Sequence, residues 1–129
     1  MGYLLDSGTL AEVLRAVPSR TLVRRLTNVP SRDRWTSAVS VGQLLVLARK
    51  TKTQKIMQDV IRLVAAVKVA PFDVAAAQSF AKFRATVASD AEPDDVMIAA
   101  IAVTNDFTLV TRRVAEYRRF PNLRVEDWV

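Results

Sequence analysis

Short apolar runs alternate along the chain with stretches where apolar residues recur every three or four positions. "GYLLD" at residues 2–6 is such a run closed by an acid, and predicts a buried strand. Residues 9–15 predict a helix with Leu10, Val13 and Leu14 on one face. Pro18-Ser19 opens a second helix through Leu22, Val23 and Leu26, which closes near Asn28-Val29-Pro30. Residues 35–39 predict a second strand. Ser40 then suits the cap of a helix over 41–49, with Gln43 three residues on in capping-box spacing. Residues 53–67 form an amphipathic pattern through Ile56, Val60, Ile61 and Val64, and 68–71 a third strand. Asp73 suits the cap of a helix over 74–87 whose inner face takes Ala77, Phe80 and Phe83. After the acidic turn "SDAEPDD", Pro93 fits a first helical position. The helix over 94–104, "VMIAAIAV" after its first turn, is apolar enough to be buried on most sides. "FTLVT" predicts a fourth strand, residues 113–117 a short helix, and 123–126 a last strand.

Strands this short and apolar, separated by helices, predict a parallel sheet covered on both faces, a three-layer α/β/α sandwich. The 129 residues (14.3 kDa) hold one such domain, spanning 1–129. Apolar runs of about eight residues are far short of the roughly 20 that cross a bilayer. With an acid at residue 6 and no signal-peptide pattern, a cytoplasmic protein without membrane attachment is expected.

Composition narrows the chemistry. The chain has no cysteine and no histidine. That excludes disulfides, thiol nucleophiles, zinc fingers and every histidine-based triad. Three glycines, Gly2, Gly8 and Gly42, are too few and too scattered for a phosphate-cradling loop. The net charge is +6, unevenly spread: +8 over residues 1–68, −4 over 69–111 and +2 over 112–129. A basic chain with one acidic segment suits a polyanion binder that also holds a cation.

In a parallel sheet the ligand site lies beyond the carboxyl ends of the strands. The acids to follow are therefore Asp6 at the end of the first strand and Asp95 at the start of the helix before the fourth. Asp94 and Glu116 complete the set. Converging carboxylates repel unless a cation sits among them, and hard divalent cations take oxygen ligands. Each acid also has a purely structural alternative. Asp6 suits an N-cap, though Ser7 and Thr9 would serve. Asp94 and Asp95 suit a helix N-terminus. Glu116 in "RRVAEYRR" suits a pair with Arg112, Arg113 or Arg119.

Four segments carry a family resemblance in order and spacing: "YLLDSGTLAEVLR", "VSVGQLLVLAR", "DDVMIAAIAVTNDFTLVTRRVAEY" and "FPNLRVEDWV". Over essentially the whole chain they resemble PIN-domain ribonucleases of the VapC toxin type. The resemblance implies a PIN-like sandwich that cleaves RNA with Mg²⁺ or Mn²⁺ held by several acids. It assigns the metal to Asp6, Asp95 and Glu116, and places Gln43 and Thr111 with them as catalytic-site residues. It further implies a cognate antitoxin protein whose C-terminal segment covers the site, and a homodimer. Arg15, Arg49 and Lys52 would seat the RNA backbone.

The chain departs from the family pattern at four places. Gln43 stands where the family has Glu, and an amide brings no negative charge. Arg113 replaces a common Asn, and a cation there competes with a metal for Asp95 or Glu116. Ser7-Gly8 replaces Thr-Asn, and Pro93 replaces a further acid. Three functions are thus set against one another. The first is a metal-dependent endoribonuclease toxin. The second is a catalytically weakened PIN-like protein that binds RNA or an antitoxin without efficient cleavage. The third is a partner-binding domain with structural acids.

Overall fold

The computed structural model describes all of residues 1–129. Five strands, β1 (Tyr3–Leu5), β2 (Arg34–Ser37), β3 (Lys68–Ala70), β4 (Thr108–Val110) and β5 (Arg124–Glu126), form one parallel sheet. Their spatial order is β3-β2-β1-β4-β5. In register, Leu4 of β1 lies opposite Trp35 of β2 on one side and Leu109 of β4 on the other. The chain runs outward from β1 to β3, then crosses back to lay β4 and β5 on the opposite side. Where strand order reverses, the connections leave a crevice beyond the strand carboxyl ends. Here that crevice opens past Leu5 and Val110.

Seven helices cover the sheet: α1 (Ser7–Val13), α2 (Arg20–Asn28), α3 (Ala38–Thr51), α4 (Gln54–Ala65), α5 (Val74–Thr86), α6 (Pro93–Thr104) and α7 (Val114–Tyr117). Successive strand residues point to opposite faces. Leu4 enters a core with Leu109, Phe83 and the inner face of α6, while Leu5 enters a second with Val110, Leu10, Leu22, Leu44 and Val60. Both leucines are buried, so both faces of the sheet are covered and the expected three layers are present. Five successive residues of α6, Ile98 to Ala102, are buried, as its unbroken apolar sequence requires.

Local chemistry sets the helix starts. Ser19, Thr53 and Asp73 cap α2, α4 and α5 through side-chain oxygens, and Pro93 opens α6. Gly2 is a position where a side chain has no room, since a Cβ there would lie 2.5 Å from the Phe107 ring.

Two expectations need correction. Ser40 does not cap α3. The strand ends two residues earlier, at Ser37, and Ser37 is the cap, its Oγ accepting from the Ser40 N–H at 2.9 Å. The Ser40 side chain is buried inside the helix, where its Oγ accepts from Ser37 Oγ at 3.0 Å, and Gln43 turns to other partners. Ile61 is 56% exposed, because α4 presents Val60 rather than Ile61 to the core.

Candidate active site

Asp6 stands at the carboxyl end of β1. Its N–H still bonds to Val110 O at 3.1 Å, extending the β1–β4 ladder by one residue. Its side chain is buried and both oxygens are engaged. Oδ1 accepts from the Thr9 N–H at 2.8 Å and caps α1, so Asp6 fills the structural role for which Ser7 and Thr9 were the alternatives. Oδ2 accepts from the Thr111 hydroxyl at 2.5 Å. Thr111 is fully buried, and its Oγ1 also accepts from the Arg113 N–H at 3.0 Å. One hydroxyl therefore fixes the Asp6 carboxylate to the loop leaving β4.

Asp95 lies in the first turn of α6 and is 8% exposed. Arg113 meets it fork to fork, Nη1 to Oδ1 at 2.9 Å and Nη2 to Oδ2 at 2.8 Å. The Tyr117 hydroxyl donates to Oδ1 at 3.1 Å. The hydrogen bond to Asp95 is the main reason the Arg113 guanidinium holds its proton above its ordinary value, with burial opposing and the charges of Asp95, Tyr117 and Glu116 assisting. Burial pushes the Tyr117 phenol well above its usual range, and the nearby Asp95 and Asp6 charges push it the same way.

Gln43 bridges two other elements. Its Oε1 accepts from the Ser7 hydroxyl at 2.8 Å, and its Nε2 donates to Asp94 Oδ2 at 3.0 Å. The amide ties the start of α1 to the start of α6. A glutamate at this position would set a second carboxylate against Asp94, a repulsion that a proton or a cation would have to relieve.

These elements enclose a cavity of about 150 Å³ lined by Asp6, Ser7, Gln43, Asp95, Arg113 and Tyr117, with Gly8, Ile98 and Arg112 completing the wall. The structure thus brings Asp6, Asp95 and Gln43 together, with Thr111 behind Asp6. Glu116 is not among them. It is exposed on α7 and makes no hydrogen bond or ion pair. Its three expected arginine partners are taken elsewhere: Arg112 by Glu12 at 3.9 Å, Arg113 by Asp95, and Arg119 by Asp90. The cavity's cations are Arg112 and Arg113 from the loop after β4. Arg15, Arg49 and Lys52 do not line it.

Glu12, Tyr117 and Arg112 are the residues that sequence reasoning missed. Glu12 is 5% exposed and accepts from Arg15 Nη1 and the Ser19 N–H, each at 3.2 Å. Its signal was its place among Leu10, Ala11, Val13 and Leu14, where a lone acid on an apolar helix must find partners.

The chain matches the family model described as PIN domain over residues 3–113. It is 25% identical over 130 residues to the tRNA(fMet)-specific endonuclease VapC of Salmonella typhimurium, covering 98% of this chain and 97% of that protein. It is 29% identical over 125 residues to toxin FitB of Neisseria gonorrhoeae, covering 88% of this chain and 89% of that one. Its fold matches a chain of the VapBC2 crystal structure from Rickettsia felis, bound to a DNA fragment from the promoter, with a TM-score of 0.89 at 19% identity over 100% of both chains. The chain belongs to the PIN domain family, and the resemblance to VapC-type toxins is borne out along nearly its whole length.

PIN-domain nucleases of the VapC type generally depend on a divalent metal. The side chains described here do not fit one in this arrangement. No three acidic side chains stand close enough to share an ion. Gln43 is neutral, Glu116 lies outside the cavity, and both oxygens of Asp95 face a guanidinium.

Proposed function

We propose that the chain is the toxin of a toxin–antitoxin pair and an endoribonuclease whose site is the cavity between Asp6 and Asp95. The observation that carries this reading is the convergence of two buried carboxylates, from β1 and α6, on one crevice at the strand carboxyl ends, with Arg112 and Arg113 beside them. A phosphodiester-cleaving site needs cations that seat a phosphate and carboxylates placed next to it. The two arginines and the two aspartates are the groups proposed for these roles. Thr111 and Gln43 act as positioning residues, Thr111 on Asp6 and Gln43 on the walls of the crevice. Glu116 joins them only if α7 turns inward. Mg²⁺ or Mn²⁺ is the proposed cofactor of the cleaving state. An antitoxin protein is a proposed partner, in keeping with the VapBC and FitAB complexes formed by structurally similar proteins, and a second copy of the chain is proposed beside it.

A second reading rests on a specific contact. The Arg113–Asp95 fork and the neutral Gln43 favour a weakened PIN-like protein that holds RNA or an antitoxin and cleaves slowly. Incubation with structured RNAs, initiator tRNA among them, in Mg²⁺ or Mn²⁺ separates the two. Discrete cleavage that disappears in Asp6→Asn supports the nuclease. Salt-sensitive binding without cleavage, with cutting gained in Gln43→Glu, supports the second reading. Cleavage unaffected by Asp6→Asn removes the cavity from both.

A further inference from the structure

We propose that Glu12 is a positioning residue for RNA: its buried carboxylate holds Arg15 and Arg112 as a paired clamp for one backbone phosphate at the rim of the cavity. The inference rests on the cavity being the nuclease site and names what seats the strand beside it. Glu12 stands in the last turn of α1 and is buried. Arg15 Nη1 meets both of its oxygens at 3.2 Å. Arg112 Nη1 stands 3.9 Å from Oε2, an ionic contact too long for a hydrogen bond. The two guanidinium groups therefore flank one oxygen, close enough for a single phosphate to touch both. Their side chains are 65% and 57% exposed, while the acid that anchors them is closed to water. Arg15 gives Glu12 only Nη1 and Arg112 gives it no hydrogen bond, so most of their N–H donors have no protein partner.

The frame around the pair is rigid. Thr111 bonds to Asp6 and its neighbour Arg112 pairs with Glu12, so successive residues of the loop after β4 meet both ends of α1. Asp6 caps that helix, which thereby fixes the clamp's distance from the Asp6 carboxylate. The Ser19 N–H, donating to Glu12 Oε1 at 3.2 Å, holds the acid from its other side. Arg112 lines the cavity and Arg15 does not, so the clamp reaches from the wall outward. Two arginines side by side repel each other, and the carboxylate offsets that repulsion while leaving the pair net positive. A phosphate offers oxygens to both forks.

The test is binding of a short single-stranded RNA to the full chain in EDTA, which withholds the divalent ions proposed for cleavage, read by fluorescence anisotropy over a KCl series. Arg15→Ala and Arg112→Ala should each weaken binding and flatten the salt dependence by about 0.7 logarithmic units per logarithmic unit, the share of one contact. The double variant should flatten it no further, because both arginines serve one phosphate. Glu12→Gln keeps an acceptor for the Ser19 N–H but removes the charge, which makes the chain more basic. General attraction to RNA would then tighten binding, whereas loss of the clamp weakens it; circular dichroism checks that the variant is folded, and the arginine variants decide if it is not. A double variant that loses two contacts overturns the shared clamp. Unchanged slopes in both arginine variants, or a folded Glu12→Gln that binds as tightly as wild type, overturn the inference, and cleavage that depends on Asp6 would still leave the nuclease reading standing. A wild-type chain that neither binds nor cuts RNA overturns both.

Discussion

Asp95 takes three hydrogen bonds from two side chains, and the Tyr117 phenol is the buried one of those donors. Burial disfavours the ionised phenol, and ionising it would also place a second anion against Asp95 with Asp6 near, so the folded chain holds the proton well above its ordinary value. The unfolded chain releases it near the ordinary phenol value. Below that value both states carry the proton and stability is unaffected. Above it only the unfolded state lets go, so stability falls as pH rises, by up to about 1.4 kcal/mol per pH unit for one such group. Urea unfolding followed from about pH 9 to about pH 11 should therefore show a steep loss in wild type. Tyr117→Phe should flatten it. An unchanged slope in that variant would mean that the phenol is not held in the way described.

At the scale of elements, α6 does the most to place the site, and its small residues explain how. Ala99, Ala100 and Ala102 are fully buried where α6 packs against α5 and the sheet. Alanines let the helix lie close, which brings the Asp95 turn over the end of β1 and β4. Ala100→Leu should overpack this layer and cost about 1–3 kcal/mol, read as a lower urea midpoint. Because the helix would be displaced, RNA binding should weaken with it. α6 was also the most legible element in the sequence, since a continuous apolar run after Pro93 has few other solutions. The strands, the helix start at Pro18-Ser19 and the cap at Asp73 were readable for the same local reasons. The start of α3 was not: "TSAVSV" offers two serines in suitable spacing. The choice between them is made by β2, which ends at Ser37 opposite Ala70 of β3. Nor could spacing show Gln43 reaching Ser7 and Asp94, because that contact spans three helices. The position of Glu116 was likewise set by α7, a single turn whose buried residue is Tyr117 rather than the acid beside it.

For the molecule as a whole, the +6 charge predicts that the proposed RNA binding is dominated by phosphate contacts. For a single strand, affinity should fall with salt by about 0.7 logarithmic units per logarithmic unit for each phosphate contact. Arg112→Ala should lower that slope by about one contact in a fluorescence-anisotropy series at increasing KCl. A slope that does not change would put Arg112 outside the RNA path. The sheet order has one more consequence. β1 lies in the centre, yet its second neighbour, β4, and the loop with Thr111 and Arg113 come from the last quarter of the chain. A ribosome emits the amino-terminal half first. A nascent chain that has delivered only β1, β2 and β3 has three of the five strands, a bare edge on β1, and Asp6 without the Thr111 hydroxyl. Translation that stalls or stops early would then yield a fragment without the Asp6–Thr111 contact, and the cavity would be complete only as synthesis nears its finish.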